Sequence, residues 1–184
     1  MNGKKSKLGL GVALLIIGYL LFTSKFQERV SVLGTSFEGE PVEVRGLDDS
    51  GYDGSLVPQR IVIPKLSLDL EVREAKIING YWEVFAASGA WGSGSGLPGQ
   101  VGNQVIFAHA KEGLFLPLKN AKIADIIYVL TPISWYKYEV SEIKEVMPNQ
   151  TEIIAPTNDE TLTLYTCSGF RDTKRLIIIA KRAI

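Results

Sequence analysis

The chain has 184 residues, with 20 basic and 20 acidic side chains, 46% apolar residues, one cysteine and one histidine. One Cys cannot close an internal disulfide, and one Cys with one His cannot assemble a zinc finger, an HExxH zinc site, a CxxC redox pair or an iron-sulfur cluster. Balanced charge removes the basic surface that nucleic-acid binding requires, and the length fits one domain with its own core.

The sharpest change in composition is at the start, where Lys4, Lys5 and Lys7 precede an uncharged apolar run over 8–22. At about 1.5 Å per residue this run reaches almost across a bilayer core, so it reads as an anchor or a signal peptide. Cleavage after Ser24 puts Phe22 at the minus-three position, and cleavage after Thr23 puts Leu21 there. Both positions require small residues, so an uncleaved transmembrane signal-anchor over 1–24 is the reading, with cleavage as the alternative. A lipoprotein is excluded, because no cysteine follows the run. The leading lysines predict a cytoplasmic N-terminus and an exported remainder, although Lys25 and Arg29 weaken the asymmetry. Residues 25–59 read as a linker or lid; the stretch 36–59 holds six acidic residues, one basic residue and four glycines without periodicity.

From Arg60 onward, β-branched and aromatic stretches alternate with turn signals: RIVIP, LDLEV, KIINGYWEV, QVIFA, IIYVL, WYKYEV, TLTLYT and RLIIIAK. This spacing predicts a mostly β domain over 60–184, closed or nearly closed, with the size of a small barrel of about seven or eight strands and helices confined to connections. Asn79-Gly80 predicts a tight hairpin. The segment 113–121 predicts one or two helical turns limited by Pro117. The stretch 89–103 holds six of the 18 glycines. Because a strand-like segment follows it, it is not a phosphate-binding loop; it reads as a long surface loop, or as one bordering a groove.

His109 and Cys167 each stand at the end of an apolar strand, QVIFAH and TLTLYTC. A lone buried Cys is ordinarily a small hydrophobe, but strand ends that feed loops are where a rigid scaffold presents reactive groups. Arg175 opens the next strand, so the intervening loop makes a hairpin with Cys167 and Arg175 facing each other, about 5 Å apart at Cβ. A thiol, an imidazole and a fixed cation together suit acyl transfer, as nucleophile, proton carrier and oxyanion donor. The cation is expected to lower the thiol's pKa.

These residues resemble the sortase family. TLYTC at 163–167 matches its TLxTC signature, Arg175-Leu176-Ile177 its arginine strand, and Gly102-Asn103-Gln104-Val105-Ile106-Phe107-Ala108-His109 its GN-x-V-I-x-x-H segment, with Ala108 where Gly is usual. Ile63-Pro64-Lys65 is similar to the early IPK strand, and 114–127 to a segment with Gly-Asp where this chain has Ala124-Asp125. The resemblance covers about 60–182 and implies an eight-stranded sortase-like β-barrel with short connecting helices, tethered to the membrane. It implies a cysteine transpeptidase that cleaves a Leu-Pro-x-Thr-Gly-like sorting signal of a secreted protein through a thioacyl intermediate. The acyl group then passes to an amine on a cell-wall precursor or pilin.

By position, the resemblance makes Cys167 the nucleophile, His109 the general acid/base and Arg175 the donor to substrate and oxyanion. Arg171 competes for the third role, and Thr166 is assigned to substrate positioning. The lack of an Asp-Pro lid motif, and of a second apolar segment, favours an anchoring type over a pilin polymerase. No cofactor and no metal are expected: some relatives use calcium, but Glu112, Asp159 and Glu160 read as scattered surface carboxylates. The competing readings are a thiol hydrolase with the same residues and a non-catalytic peptide-binding module.

Overall fold

In the segment LDLEVREA buried and exposed residues alternate, the period-two pattern of a strand with one face on a core. A computed structural model describes Val44, Gly46, Leu47 and residues 51–183. The expected membrane segment and most of the expected linker lie outside the described residues, among which no helix is long and apolar enough to cross a membrane.

Ten strands follow in order: β1 (Arg60–Ile63), β2 (Leu68–Ala75), β3 (Ile77–Ile78), β4 (Tyr81–Trp82), β5 (Gly89–Gly92), β6 (Gly102–Phe107), β7 (Ile126–Leu130), β8 (Trp135–Val146), β9 (Glu160–Ser168) and β10 (Lys174–Arg182). Eight of them close a barrel in the order β1-β2-β5-β6-β9-β10-β8-β7, and β3 and β4 form a separate two-stranded sheet. The pairs β2–β5 and β6–β9 are parallel. The connections expected to be helical are short 3-10 turns; the one at Leu116–Asn120 has Pro117 in its first turn, where a missing N–H costs nothing.

Two of the sequence expectations change. The KIINGYWEV hairpin forms, with Asn79 and Gly80 both at positive φ (53° and 84°), but it lies outside the barrel. Its place is taken by β5, GAWG, inside the glycine-rich stretch expected to be a loop; all four of its residues are buried. Glycine is there for close approach rather than for turning: a Cβ on Gly92 would lie 2.3 Å from the Trp82 ring. The rest of the stretch runs toward the end of the barrel away from Cys167. Gly99 N–H donates to Glu160 at the opposite end of β9 (2.8 Å), about 23 Å of strand away from Cys167.

Alternation sorts the apolar residues into two clusters. Ile61, Val72, Trp91, Ile106, Ala108, Leu162, Leu164, Ile178 and Ala180 belong to the larger. Val105, Phe107, Tyr165 and Ile177 belong to the second, with Trp82 of the outer hairpin and Ile154 of a further 3-10 turn, Thr151–Ile154. Along β6, β9 and β10 the two sets alternate, so the second cluster lies on the opposite, outer face of the sheet, and Trp82 stacks on Phe107 there (5.5 Å between ring centroids).

Part of the acidic stretch is seated on the barrel rather than loose. Tyr52 meets Trp91 edge-on at 5.1 Å, its hydroxyl engages Glu74, and Leu56 and Val57 pack on the larger cluster.

Candidate active site

The β6–β9 ladder pairs Gly102 with Glu160 and continues to Phe107 with Tyr165, a constant offset of 58 positions. Ala108 N–H extends it by donating to the Tyr165 carbonyl (3.3 Å). The same offset carries His109 level with Cys167, and on the other side β10 pairs Arg175 directly with Cys167. His109, Cys167 and Arg175 therefore form one row across three neighbouring strand ends. All three have the outward parity of Phe107, Tyr165 and Ile177, and directly opposed residues on one face lie about 5 Å apart at Cβ.

Each member of the row is fixed by bonds traceable to the sequence. The loop after His109 is held because Phe115 N–H donates to the His109 carbonyl (3.0 Å), while the Leu114 and Phe115 side chains are buried in the larger cluster. Thr166 has the inward parity and is 2% exposed. Its hydroxyl donates to the Ala108 carbonyl (2.7 Å), so it holds the chain next to His109. The other threonine of TLYTC acts likewise on the outer face: the Thr163 hydroxyl donates to Asn103 Oδ1 (2.7 Å). Asn103 Nδ2 in turn donates to the carbonyls of Ile153 and Ala155 (both 3.0 Å), pinning the turn that covers the outer cluster.

Arg175 is 2% exposed. Its Nη1 donates to the carbonyls of Asp172 (2.7 Å) and Lys174 (3.0 Å), and its Nε to the Tyr165 hydroxyl (3.2 Å). The guanidinium thus clamps the β9–β10 turn while standing beside the thiol. Arg171, its rival in sequence, is exposed within that turn, its guanidinium 5.2 Å from the Phe170 ring centroid.

A cavity of about 200 Å³ opens beside the thiol, lined by His109, Ala110, Lys111, Cys167 and Asp172. Burial pushes the Cys167 thiol up from its ordinary pKa; the Arg175 charge pulls it down and the Asp172 charge pushes it up, leaving it raised. The expected lowering by a cation is present, but desolvation outweighs it. The resting sulfur is a thiol, and a nucleophilic role for it requires a nearby proton acceptor.

Two residues here escaped sequence reasoning. Tyr165 was legible in principle, standing two positions before Cys167 and hence on the same face. Asp172 carried no signal, because its place depends on a turn with left-handed φ at Gly169 (78°), Arg171 (54°) and Asp172 itself (58°). The Lys65 of IPK and the Asp125 of Ala-Asp, far apart in sequence, meet in an ion pair at 2.5 Å. Among the described residues no group of three or more His, Cys, Asp or Glu side chains is arranged to hold a metal ion. Asp159 is paired with Lys181 (2.7 Å), and Glu160 accepts from the Tyr138 hydroxyl (2.7 Å).

A closed eight-stranded barrel with a thiol, an imidazole and an arginine abreast at one rim has the parts of a cysteine acyl-transfer site. The family model "Sortase domain" matches residues 61–183, and the chain belongs to the sortase family. Sortase A of Bacillus anthracis is 28% identical over 135 residues, 72% of this chain and 62% of that protein. This chain therefore spans about three fifths of that relative's length. Among solved structures, Sortase A from Corynebacterium diphtheriae is similar at 30% identity with a TM-score of 0.60, covering 70% of this chain and 61% of that one. A pilus-related Sortase C of Group B Streptococcus gives the same TM-score of 0.60 at 26% identity, covering 72% of this chain and 70% of that one.

Proposed function

We propose that this chain is a cysteine transpeptidase of the cell surface, tethered by the apolar run 8–22, that cleaves a Leu-Pro-x-Thr-Gly-like sorting signal and joins the released acyl group to an amine. The observation that carries this reading is the row of His109, Cys167 and Arg175 beside one cavity. Membership of the sortase family supports it.

Cys167 is the nucleophile. Its raised thiol pKa means that a proton must leave as the sulfur attacks the scissile carbonyl, and His109, the imidazole on the cavity wall, takes it. The imidazolium then protonates the leaving amine, which departs with the C-terminal part of the signal and leaves a thioester on Cys167. Arg175, one strand away, supplies fixed positive charge where the thiolate and the oxyanion develop. In the second half an acceptor amine attacks the thioester, gives its proton to His109, and releases the sulfur.

Arg175 takes the donor role over Arg171 because only Arg175 is paired with Cys167 and buried beside it. Thr166 acts as a positioning residue through the Ala108 carbonyl. The acceptor is an amine on a cell-wall precursor or a pilin.

The test is a ligation assay. Full-length chain in detergent, given a fluorescent Leu-Pro-x-Thr-Gly-type peptide library and primary amines, yields an amide-linked product that Cys167→Ala and His109→Ala lose. Product that is only hydrolysed at high amine concentration would make the chain a thiol hydrolase. Biological activity unchanged in Cys167→Ala would make it a binding module.

A further inference from the structure

Asp172 has three properties that the nucleophile, proton carrier and donor leave unexplained. It lines the cavity together with His109 and Cys167. It is held at a left-handed φ of 58°, a conformation that costs a non-glycine residue about 1 kcal/mol, although Asp tolerates it better than most. Its own carbonyl is gripped by Arg175 Nη1 at 2.7 Å, so the buried arginine holds the backbone from which the carboxylate projects. Among the described residues no hydrogen bond or ion pair takes up that carboxylate. Lys111, the other ionisable group on the wall besides the catalytic pair, has an interaction of its own.

A carboxylate here works against the first half of the reaction, because its charge disfavours the Cys167 thiolate. In the second half that conflict is gone: the sulfur is acylated and neutral, and the incoming group is an amine that is cationic in water. The geometry points to Asp172 as the acceptor-binding residue, whose carboxylate receives the ammonium of a primary amine beside the Cys167 thioester and so favours amine over water. This rests on the transpeptidase reading and adds to it the charge of the acceptor.

The chemistry closes without a further reactant. The ammonium bound at Asp172 loses one proton to solvent and becomes the free amine. Its nitrogen forms the new C–N bond, its second proton goes to the His109 imidazole, the C–S bond breaks, and the departing thiolate takes that proton back.

The test compares two acceptors that differ in charge: glycinamide, whose amine is largely cationic near neutral pH, and hydroxylamine, which is largely uncharged there. Full-length chain in detergent is acylated with a Leu-Pro-x-Thr-Gly-type peptide, and wild type is compared with Asp172→Asn, an isostere that also tolerates left-handed φ. The variant is expected to raise the KM for glycinamide about tenfold and the KM for hydroxylamine less than about twofold. The hydrolysed share of product rises and acyl-enzyme forms no more slowly than in wild type. Asp172→Glu, which keeps the charge, recovers part of the glycinamide KM. Asp172→Gly, which relaxes the backbone, repeats the Asn result even if Asn folds poorly.

Equal shifts for both acceptors, or none, would overturn the assignment. Wild type that never acylates would instead defeat the transpeptidase reading itself, so the two failures are distinguishable.

Discussion

Replacing Arg175 separates its two jobs, the grip on the turn and the charge beside the thiol. In Arg175→Ala three hydrogen bonds vanish, at 2.7, 3.0 and 3.2 Å, and the Asp172 carbonyl and Tyr165 hydroxyl lose a buried partner. Hydrogen bonds to a charged group contribute about 1.5–3 kcal/mol each, but removing the guanidinium also removes its desolvation cost. The expected net loss is about 3 kcal/mol, and for a domain of this size that lowers Tm by roughly 6–12 °C. The thiol responds separately. The Arg175 charge favours the thiolate, against burial and Asp172, so its removal pushes the thiol pKa still higher. Iodoacetamide alkylation of Cys167, followed by mass spectrometry across a pH series, reads that shift directly, with the alkaline rise moving to higher pH in Arg175→Ala. Arg175→Lys keeps the charge but cannot reproduce the fork, so the alkylation profile returns toward wild type while the Tm stays depressed. An alkylation profile that is unchanged or moves to lower pH in Arg175→Ala would refute the electrostatic coupling; an unchanged Tm would refute the clamp.

Thr166→Val keeps the shape of the side chain and leaves the buried Ala108 carbonyl unpaired. It is expected to cost about 1–3 kcal/mol in urea unfolding and to lower kcat with little change in KM for the peptide, while Thr166→Ser restores both. Ala124 sits at a φ of 67°, so Ala124→Gly is expected to stabilise the protein by about 0.5 kcal/mol, the relief of left-handed strain less the extra entropy of an unfolded glycine. Burial pushes the Asp125 carboxyl up, but the hydrogen bond from Lys65, the Lys122 N–H and the charges of both lysines outweigh it and leave the pKa below its ordinary 3.8. Its stabilisation is therefore complete above that value and lost as pH falls through the lower folded one. Wild type should lose more stability than Asp125→Asn between about pH 4 and pH 2 by urea midpoint.

The barrel was legible in the sequence where a strand alternates apolar and charged residues, as in LDLEV, or runs β-branched residues together between turn signals, as in RLIIIAK, because both patterns are local. Asn79-Gly80 was legible for the same local reason: its two positive φ angles are a property of the dipeptide. β5 was not, because GAWG has no pattern of its own, and its glycines are required by the Trp82 ring, a contact that no local window contains. The rim of the site was half legible. Strand ends and a hairpin predicted that Cys167 faces Arg175, whereas the level placement of His109 needed the β6–β9 register. The direction of the thiol's pKa shift was not legible, because a sequence shows the neighbouring cation but not the burial that outweighs it. The bond from Thr166 to the Ala108 carbonyl was not legible, because it too depends on the β6–β9 register.

The most direct test is the intact mass of full-length chain incubated with a Leu-Pro-x-Thr-Gly-type peptide library in the absence of amine. A wild-type adduct equal to the acyl fragment, located to Cys167 by proteolysis, released by hydroxylamine and absent from Cys167→Ala, is the expected result. A wild-type mass that stays unmodified across the library, with the thiol still open to alkylation, would contradict the assignment of Cys167 as the acyl-accepting nucleophile.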